Sequence, residues 1–342
     1  MKPGKLPPDL LAELLPNAGT HDSRVLVGPA VGEDCAVVEM GDRLLVAKSD
    51  PITFAAERVG WYAVQVNAND IACAGAEPKW FLPTLLLPAH FTPDDVRAIF
   101  LDISNACSEL GAAIIGGHSE VTLGIDRPIV AGTMLGELLN REQLVTTAGA
   151  RDGDSVILST GVAIEGTAIL ATECAEELRQ AGVDTTTIER AAGYLHEPGI
   201  SVVKAAQALC GSVDVHSLHD ITEGGIVTAL REVATASNLG VVFEAESTPV
   251  LPECAAICEA LGVNPIGLLG SGALLATMPA IDAPRALRAL DSVGVNGWEI
   301  GQMIEEADGM WLIDRTGEHM LPEFIRDELA RYLDERGAQS PR

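Results

Sequence analysis

The chain has 342 residues, 47% hydrophobic and 21% charged, so it carries ample apolar material for a core and is neither disordered nor fibrous. With 22 Lys and Arg against 49 Asp and Glu, the net charge is −27, which repels phosphate backbones and anionic lipid and argues against nucleic-acid and membrane partners. Aromatic residues, at 4%, are too few to build base-stacking platforms, and the length predicts about two domains.

Residues 9–15, after Pro7-Pro8, read as a short amphipathic helix with Leu10, Leu11, Leu14 and Leu15 on one side. Two apolar runs near 34–39 and 44–50, joined at Met40-Gly41-Asp42, predict a hairpin. Apolar on both faces, they are expected to be buried on both faces, the second by a partner subunit. A helix over 58–74 and a strand over 79–87 follow. Thr92-Pro93-Asp94-Asp95 is a strong helix start, with Thr92 as cap, and that helix ends at Gly111. Ala112 to Ile115 reads as a buried strand ending in Gly116-Gly117, and 128–138 as another strand. A boundary falls near 140–152, so the expected domains are 1–147 and 148–335, with a frayed tail over 336–342. Beyond the boundary come a strand at 155–159, helices near 165–181, 199–210, 223–238, 252–261 and 283–293, and strands near 240–244, 272–278 and 297–303. That alternation predicts an α+β or α/β class.

The seven cysteines form no CxxC pair, so a disulfide framework is not expected and a reducing cytoplasm fits. Cys254 and Cys258 fall on one helix face. The N-terminus lacks a leader pattern, and the most apolar stretch, Trp80 to Leu87, is short and holds Pro83, so no membrane span is expected.

Three clusters carry chemistry. The first is acidic: Asp34 enters the first hairpin strand, Asp50 closes the second, and Asn67 and Asp70 stand three apart on a helix. Converging carboxylates repel unless a cation sits between them, and hard oxygen ligands suit Mg²⁺; as isolated residues they read equally as turn and cap positions. If the ligand is a nucleotide, a divalent ion must reconcile it with so acidic a chain. Lys48, on the same strand face as Asp50, reads either as a phosphate partner or as a surface ion pair. The second cluster is Gly116-Gly117-His118-Ser119-Glu120, where glycine permits close backbone approach to a ligand or simply makes a turn. The third is His219-Asp220-Ile221-Thr222-Glu223-Gly224-Gly225, with Thr222 as expected helix cap and the glycines leaving an open anion site. A zinc site on His216 and His219 is disfavoured, because the two rings would point to opposite faces of a strand.

In order, the motifs are GEDCAVV (32–38), SDPIT (49–53), NANDIACAGAEP (67–78), GGHSEVT (116–122), ARDGDSVILSTG (150–161), HDITEGG (219–225) and GSGALL (270–275). Over roughly residues 20–315 they resemble the aminoimidazole ribonucleotide (AIR) synthetase superfamily of ATP-dependent enzymes, most like its hydrogenase-maturation carbamoyl dehydratase branch. The resemblance implies a two-domain subunit whose N-terminal domains pair into a homodimer, with ATP near that interface and Mg²⁺ held by acids. It places metal ligands on Asp34, Asp50, Asp70 and Glu120, and ATP contacts on Lys48, Asn67, Gly116, Gly117, His118, Asp220, Gly224 and Gly225. Relatives carry an acid directly after the second glycine, where this chain has His118. The hydrogenase-maturation enzyme ends in a carbamoyl-bearing cysteine, whereas this sequence ends Gln339-Ser340-Pro341-Arg342, so its reaction is not expected here. The implied activity is Mg²⁺-dependent phosphoryl transfer from ATP to an oxygen of a small-molecule or protein-borne substrate. The alternatives are a small-molecule kinase like thiamine-monophosphate kinase and a non-catalytic nucleotide-binding maturation factor.

Overall fold

The structure, a computed structural model, describes residues 22–29, 33–53 and 58–339 and a few isolated positions nearer the N-terminus. Residues 9, 11 and 12 of the helix expected over 9–15, and Gly32, lie outside the described residues. The chain divides into two compact units, 1–144 and 145–342.

The first unit holds a seven-stranded sheet: β1 (Val25–Val27), β2 (Ala36–Met40), β3 (Arg43–Ile52), β4 (Glu77–Leu87), β5 (Ala113–Ile114), β6 (His118–Val121) and β7 (Ile129–Leu138). Its order is β1-β2-β3-β7-β4-β5, with β6 also paired to β4. The pairs β4–β5 and β4–β6 are parallel and the others antiparallel. The expected hairpin forms as β2 and β3, with Met40 opposite Arg43. Helix α1 (Val59–Cys73) lies on one face of this sheet and is buried along almost its whole length, because helix α2 (Pro93–Leu110) packs over it. Helix α2 starts as the sequence predicts, with a reciprocal Thr92–Asp95 capping box, Pro93 in its first turn and Gly111 as its left-handed end.

The sheet's two faces differ. Val37, Leu44, Val46, Phe81, Leu85, Val130 and Met134 on the inner face are buried under α1. Val38, Leu45, Trp80, Leu82, Leu86 and Leu135 on the outer face are only half-buried. Burial on both faces is therefore not achieved within one chain. Nor is the 112–115 strand buried: Ala113 and Ile114 lie at the sheet edge, exposed, since no later segment of this unit covers them.

The second unit is a second seven-stranded sheet: β8 (Asp154–Ser159), β9 (Ser217–Asp220), β10 (Leu239–Glu244), β11 (Leu274–Pro279), β12 (Gly297–Glu305), β13 (Met310–Asp314) and β14 (Gly317–Met320). Its order is β14-β13-β10-β12-β8-β11-β9, and only β10–β13 is parallel. Helices α3 (Ile164–Glu173), α4 (Ala175–Gln180), α5 (Thr185–Ala192), α6 (Val203–Cys210), α7 (Gly225–Ser237), α8 (Pro252–Leu261), α9 (Ala283–Ser292) and α10 (Glu328–Gln339) surround it. Strand β8 is buried at every position. Around it Leu170, Leu230, Phe243, Ile257, Leu275 and Met303 form one core, each fully buried side chain stabilising by about 1.5–3 kcal/mol. The predicted single helix over 165–181 is two, broken at Cys174. The expected frayed tail is, through Gln339, the end of α10.

Candidate active site

The first acidic cluster forms on the inner face of the first sheet. Strand alternation puts Lys48 and Asp50 of β3 on that face, towards α1. Helical spacing brings Asn67 and Asp70 to meet them. Asn67, fully buried, accepts the Asp50 N–H at 2.8 Å and donates to the Asp50 carbonyl at 3.2 Å and the Ala63 carbonyl at 2.8 Å. It thereby staples helix to strand. Gly132, opposite Asp50 on β7, makes the room: a Cβ there would stand 2.6 Å from the Asn67 amide.

Lys48 sits among the acids, its Nζ 3.3 Å from both Asp50 Oδ2 and Asp70 Oδ2. Burial alone would lower its pKa, but the carboxylates of Asp70, Asp50 and Asp34 outweigh burial and hold it above the ordinary lysine value. It is not the surface ion pair of one sequence reading, since its side chain is only 15% exposed. One ammonium against three carboxylates leaves two negative charges over, and the oxygen donor set fits a hard divalent cation.

The glycine cluster does not join this group. Gly117 takes φ 138°, and a Cβ on it would stand 2.3 Å from the Pro83 carbonyl, so glycine serves close approach to β4. His118 and Glu120 were expected beside the acids, but the register forbids it within one chain. Asp50 pairs with Gly132, and Gly132 with Pro83, on the inner face. His118 and Glu120 pair with Thr84 and Leu86, whose side chains take the outer face. Three strand spacings, about 14 Å, also separate β6 from β3. Glu120 instead accepts from Thr122 at 2.8 Å and contacts His118 at 3.2 Å, and these bonds hold its carboxyl below the usual range.

In the second unit, β9 delivers His219 and Asp220, both buried, to the mouth of α7. His219 Nε2 lies 2.9 Å from Glu232 Oε2, while His216 is held at Nδ1 by both oxygens of buried Asp154, at 2.8 and 2.9 Å. The two histidines thus serve different acids. Thr222 does not cap α7. Gly224 is the cap, and its N–H donates to Asp327 Oδ2 at 2.7 Å. The anion position read from the sequence is therefore filled by the chain's own carboxylate.

Asp327 also takes the Leu329 N–H at 2.8 Å, joining α7 to α10; burial pushes its carboxyl up against these bonds. Near it, burial pushes Glu165 up to about 7, although the Ser271 hydroxyl donates to it; Glu223 and Asp327 add repulsion. Sequence reasoning missed Asp327 and Glu165. Asp327 lies 103 residues from the glycine that it binds, so no local spacing could have found it.

The family described as AIR synthase related protein, N-terminal domain, matches residues 32–138, and its C-terminal domain matches 151–311. The carbamoyl dehydratase HypE of Cupriavidus necator is 30% identical over 312 residues, covering 85% of each chain. Among solved structures, hydrogenase maturation protein HypE in complex with ATP aligns with TM-score 0.70 at 21% identity, over 92% of this chain and 91% of that one. AaThiL, complexed with AMPPCP and TMP, aligns with TM-score 0.68 at 23% identity, over 89% and 91%. With both domains matched in order and a relative similar along most of its length, the chain belongs to the AIR synthase-related family of enzymes, among the relatives of HypE.

Proposed function

We infer that the protein is an ATP- and Mg²⁺-dependent enzyme that activates an oxygen of a small-molecule or protein-borne substrate by phosphoryl transfer. The observation that carries this reading is the convergence of Asp34, Asp50 and Asp70 on a nearly buried Lys48. Those three carboxylates would hold Mg²⁺, with Asn67 fixing the backbone of Asp50. Bound there, Mg²⁺ supplies charge neutralisation for the transferring phosphoryl group. Lys48, kept protonated, adds a fixed positive charge that can meet a phosphate oxygen. The acids act as ligands, not as bases. The oxygen that is activated is not one carried on a thiol of this chain, because six of its seven cysteines are buried and Cys210 is half-buried.

Calorimetric titration tests it. ATP should bind with Mg²⁺ present, and Asp70→Ala should weaken that binding by about 100-fold or more, as removal of one charged ligand from a nearly buried site implies. Equal affinity in excess EDTA overturns the reading. ATP binding without any release of ADP would turn it into that of a nucleotide-binding maturation factor.

The working unit in this reading is a homodimer, supported by the half-buried outer face of the first sheet and by Ile115, Val121 and Leu123 exposed at its edge. Such an interface would bury on the order of 2,000 Å². Sedimentation equilibrium should give about twice the 35.8 kDa chain mass, and a clean monomer at micromolar concentration would refute it. Seven free cysteines fit a cytoplasmic setting. No helix among the described residues is long and apolar enough to cross a membrane.

A further inference from the structure

Lys48 stands where a cation shared by two carboxylates would stand. Asp70, on buried helix α1, forms the floor of the first cluster, its side chain 6% exposed, and Asp50 forms the rim, its side chain 41% exposed. The Lys48 ammonium lies between them, 3.3 Å from Asp50 Oδ2 and 3.3 Å from Asp70 Oδ2, and so spans the space from rim to floor. The acids are held from behind. Asn67 clamps the Asp50 backbone through its N–H and its carbonyl, and Asp70 belongs to a helix buried along almost its whole length. Lys48 carries its charge on a flexible four-carbon stem, so it is the member of the cluster able to move without disturbing strand or helix.

We propose that Lys48 is a built-in occupant of the metal position, which keeps a free divalent cation out and yields to one that arrives with a nucleoside triphosphate. This role depends on the reading of the cluster as an ATP and Mg²⁺ site, and gives that site an order of filling. Mg²⁺ binds its oxygens at about 2.1 Å. An ion sharing Asp50 Oδ2 or Asp70 Oδ2 with the ammonium would therefore stand no more than about 5.4 Å from Nζ, inside the screening length of about 8 Å at physiological salt. Two positive charges so close in a nearly buried place repel, and Nζ must leave as the ion enters.

Where the ammonium goes decides the affinity. With the ion alone, Lys48 gives up two carboxylates and receives only water. With a triphosphate, it exchanges carboxylate oxygens for phosphate oxygens, which accept the same charge-assisted hydrogen bonds. The triphosphate alone fares no better than the ion alone, since it meets Asp34, Asp50 and Asp70 with a charge of their own sign. Each ligand is disfavoured singly, and the two are admitted together.

The test is Mn²⁺, a hard divalent ion whose free form is counted by electron paramagnetic resonance, titrated into the full chain without nucleotide. The parent should bind it weakly, and Lys48→Met about tenfold or more tighter, as removal of one close and nearly buried like charge implies. Lys48→Arg, which keeps the charge, should stay as weak as the parent. A gain of affinity separates exclusion from damage, because a loosened fold does not tighten a metal site. ATP should raise Mn²⁺ affinity by a smaller factor in Lys48→Met than in the parent. The parent also gives a readout that needs no variant. At Mn²⁺ concentrations that fill the site without nucleotide, acetylation of Lys48 by an activated ester should rise several-fold, and ATP added with the ion should reverse the rise. Equal or weaker Mn²⁺ binding by Lys48→Met overturns the proposal, and so does Mn²⁺ bound to the parent with Lys48 still protected. Failure of the ATP and Mg²⁺ reading looks different: ATP would then bind the parent equally well in excess EDTA.

Discussion

The two units each gather three carboxylates, and they treat them in opposite ways. In the first, Asp34, Asp50 and Asp70 surround an ammonium, which stays protonated despite burial because the acids outweigh the loss of water. In the second, Glu165, Glu223 and Asp327 act on one another, and both Glu165 and Asp327 are pushed towards their neutral forms. One lysine accounts for much of the contrast. A cluster with a built-in cation and converging carboxylate oxygens is suited to hold a metal ion. A cluster dominated by burial and repulsion is suited to hold a proton.

The sharpest way to break the comparison is to remove the cation. Lys48→Met leaves Asp70, 4% exposed, beside Asp50 and Asp34 with no compensating charge. Breaking a buried pair from one side costs roughly 3–5 kcal/mol, and urea unfolding at neutral pH should show a loss of that order. Two further readings sharpen it. Added Mg²⁺ should restore part of the loss in Lys48→Met, because a divalent ion can take the ammonium's place. Lowering the pH should restore part of it too, because protonated acids no longer repel. A variant as stable as the parent would mean that the three acids do not depend on Lys48.

The second cluster predicts the opposite sign. Glu165 has an ordinary value of 4.5 and about 7 in the fold. Below pH 4.5 it is protonated in both folded and unfolded states and carries no penalty. As the pH rises through 7 the folded state must surrender a proton that it holds more tightly, so the stability present at low pH is lost over that window. Glu165→Gln mimics the protonated form and keeps a hydrogen-bonding group for Ser271. It should be more stable than the parent at pH 8 by roughly 2–3 kcal/mol and no more stable at pH 4. Denaturant midpoints at the two pH values check this, and a gain of the same size at both would remove the titration from the explanation.

These two clusters also mark what could be read from the sequence. Lys48, Asp50, Asn67 and Asp70 were legible because their relations are local. Two residues along a strand share a face, three along a helix share a face, and only one strand–helix contact had to be supplied by the fold. The start of α2 was legible for the same reason, its cap and first turn lying within four residues. Asp327 and Glu165 were not legible, because groups that define them come from loops distant in the chain, Gly224 for Asp327 and Ser271 for Glu165. Helix α10 was missed because its polar sequence looks like a tail; what holds it is Leu329 against the core, Asp327 at its start and Arg331 paired with Glu328. The split at Cys174 was invisible to periodicity, since the pattern resumes one residue later.

Glu120 is where local reading and register part company, and it gives the smallest expected effect. The sequence places it four residues past Gly116, a natural fourth ligand for the acids, yet pleating sends it to the other face of the sheet. It is exposed, and its bonds to Thr122 and His118 are surface interactions of little weight. Glu120→Ala should leave the urea midpoint unmoved and Mg²⁺-dependent ATP affinity within about a factor of two, the scatter of a neutral surface change. A large loss of affinity would carry information of another kind. A single chain offers Glu120 no route to Asp50, because side chains do not cross their own sheet. The acid would then have to come from a second copy facing the first, and the loss would grow on dilution as that pair separates. Titrating parent and variant at two protein concentrations distinguishes the cases: a small effect independent of concentration leaves the metal to Asp34, Asp50 and Asp70 alone.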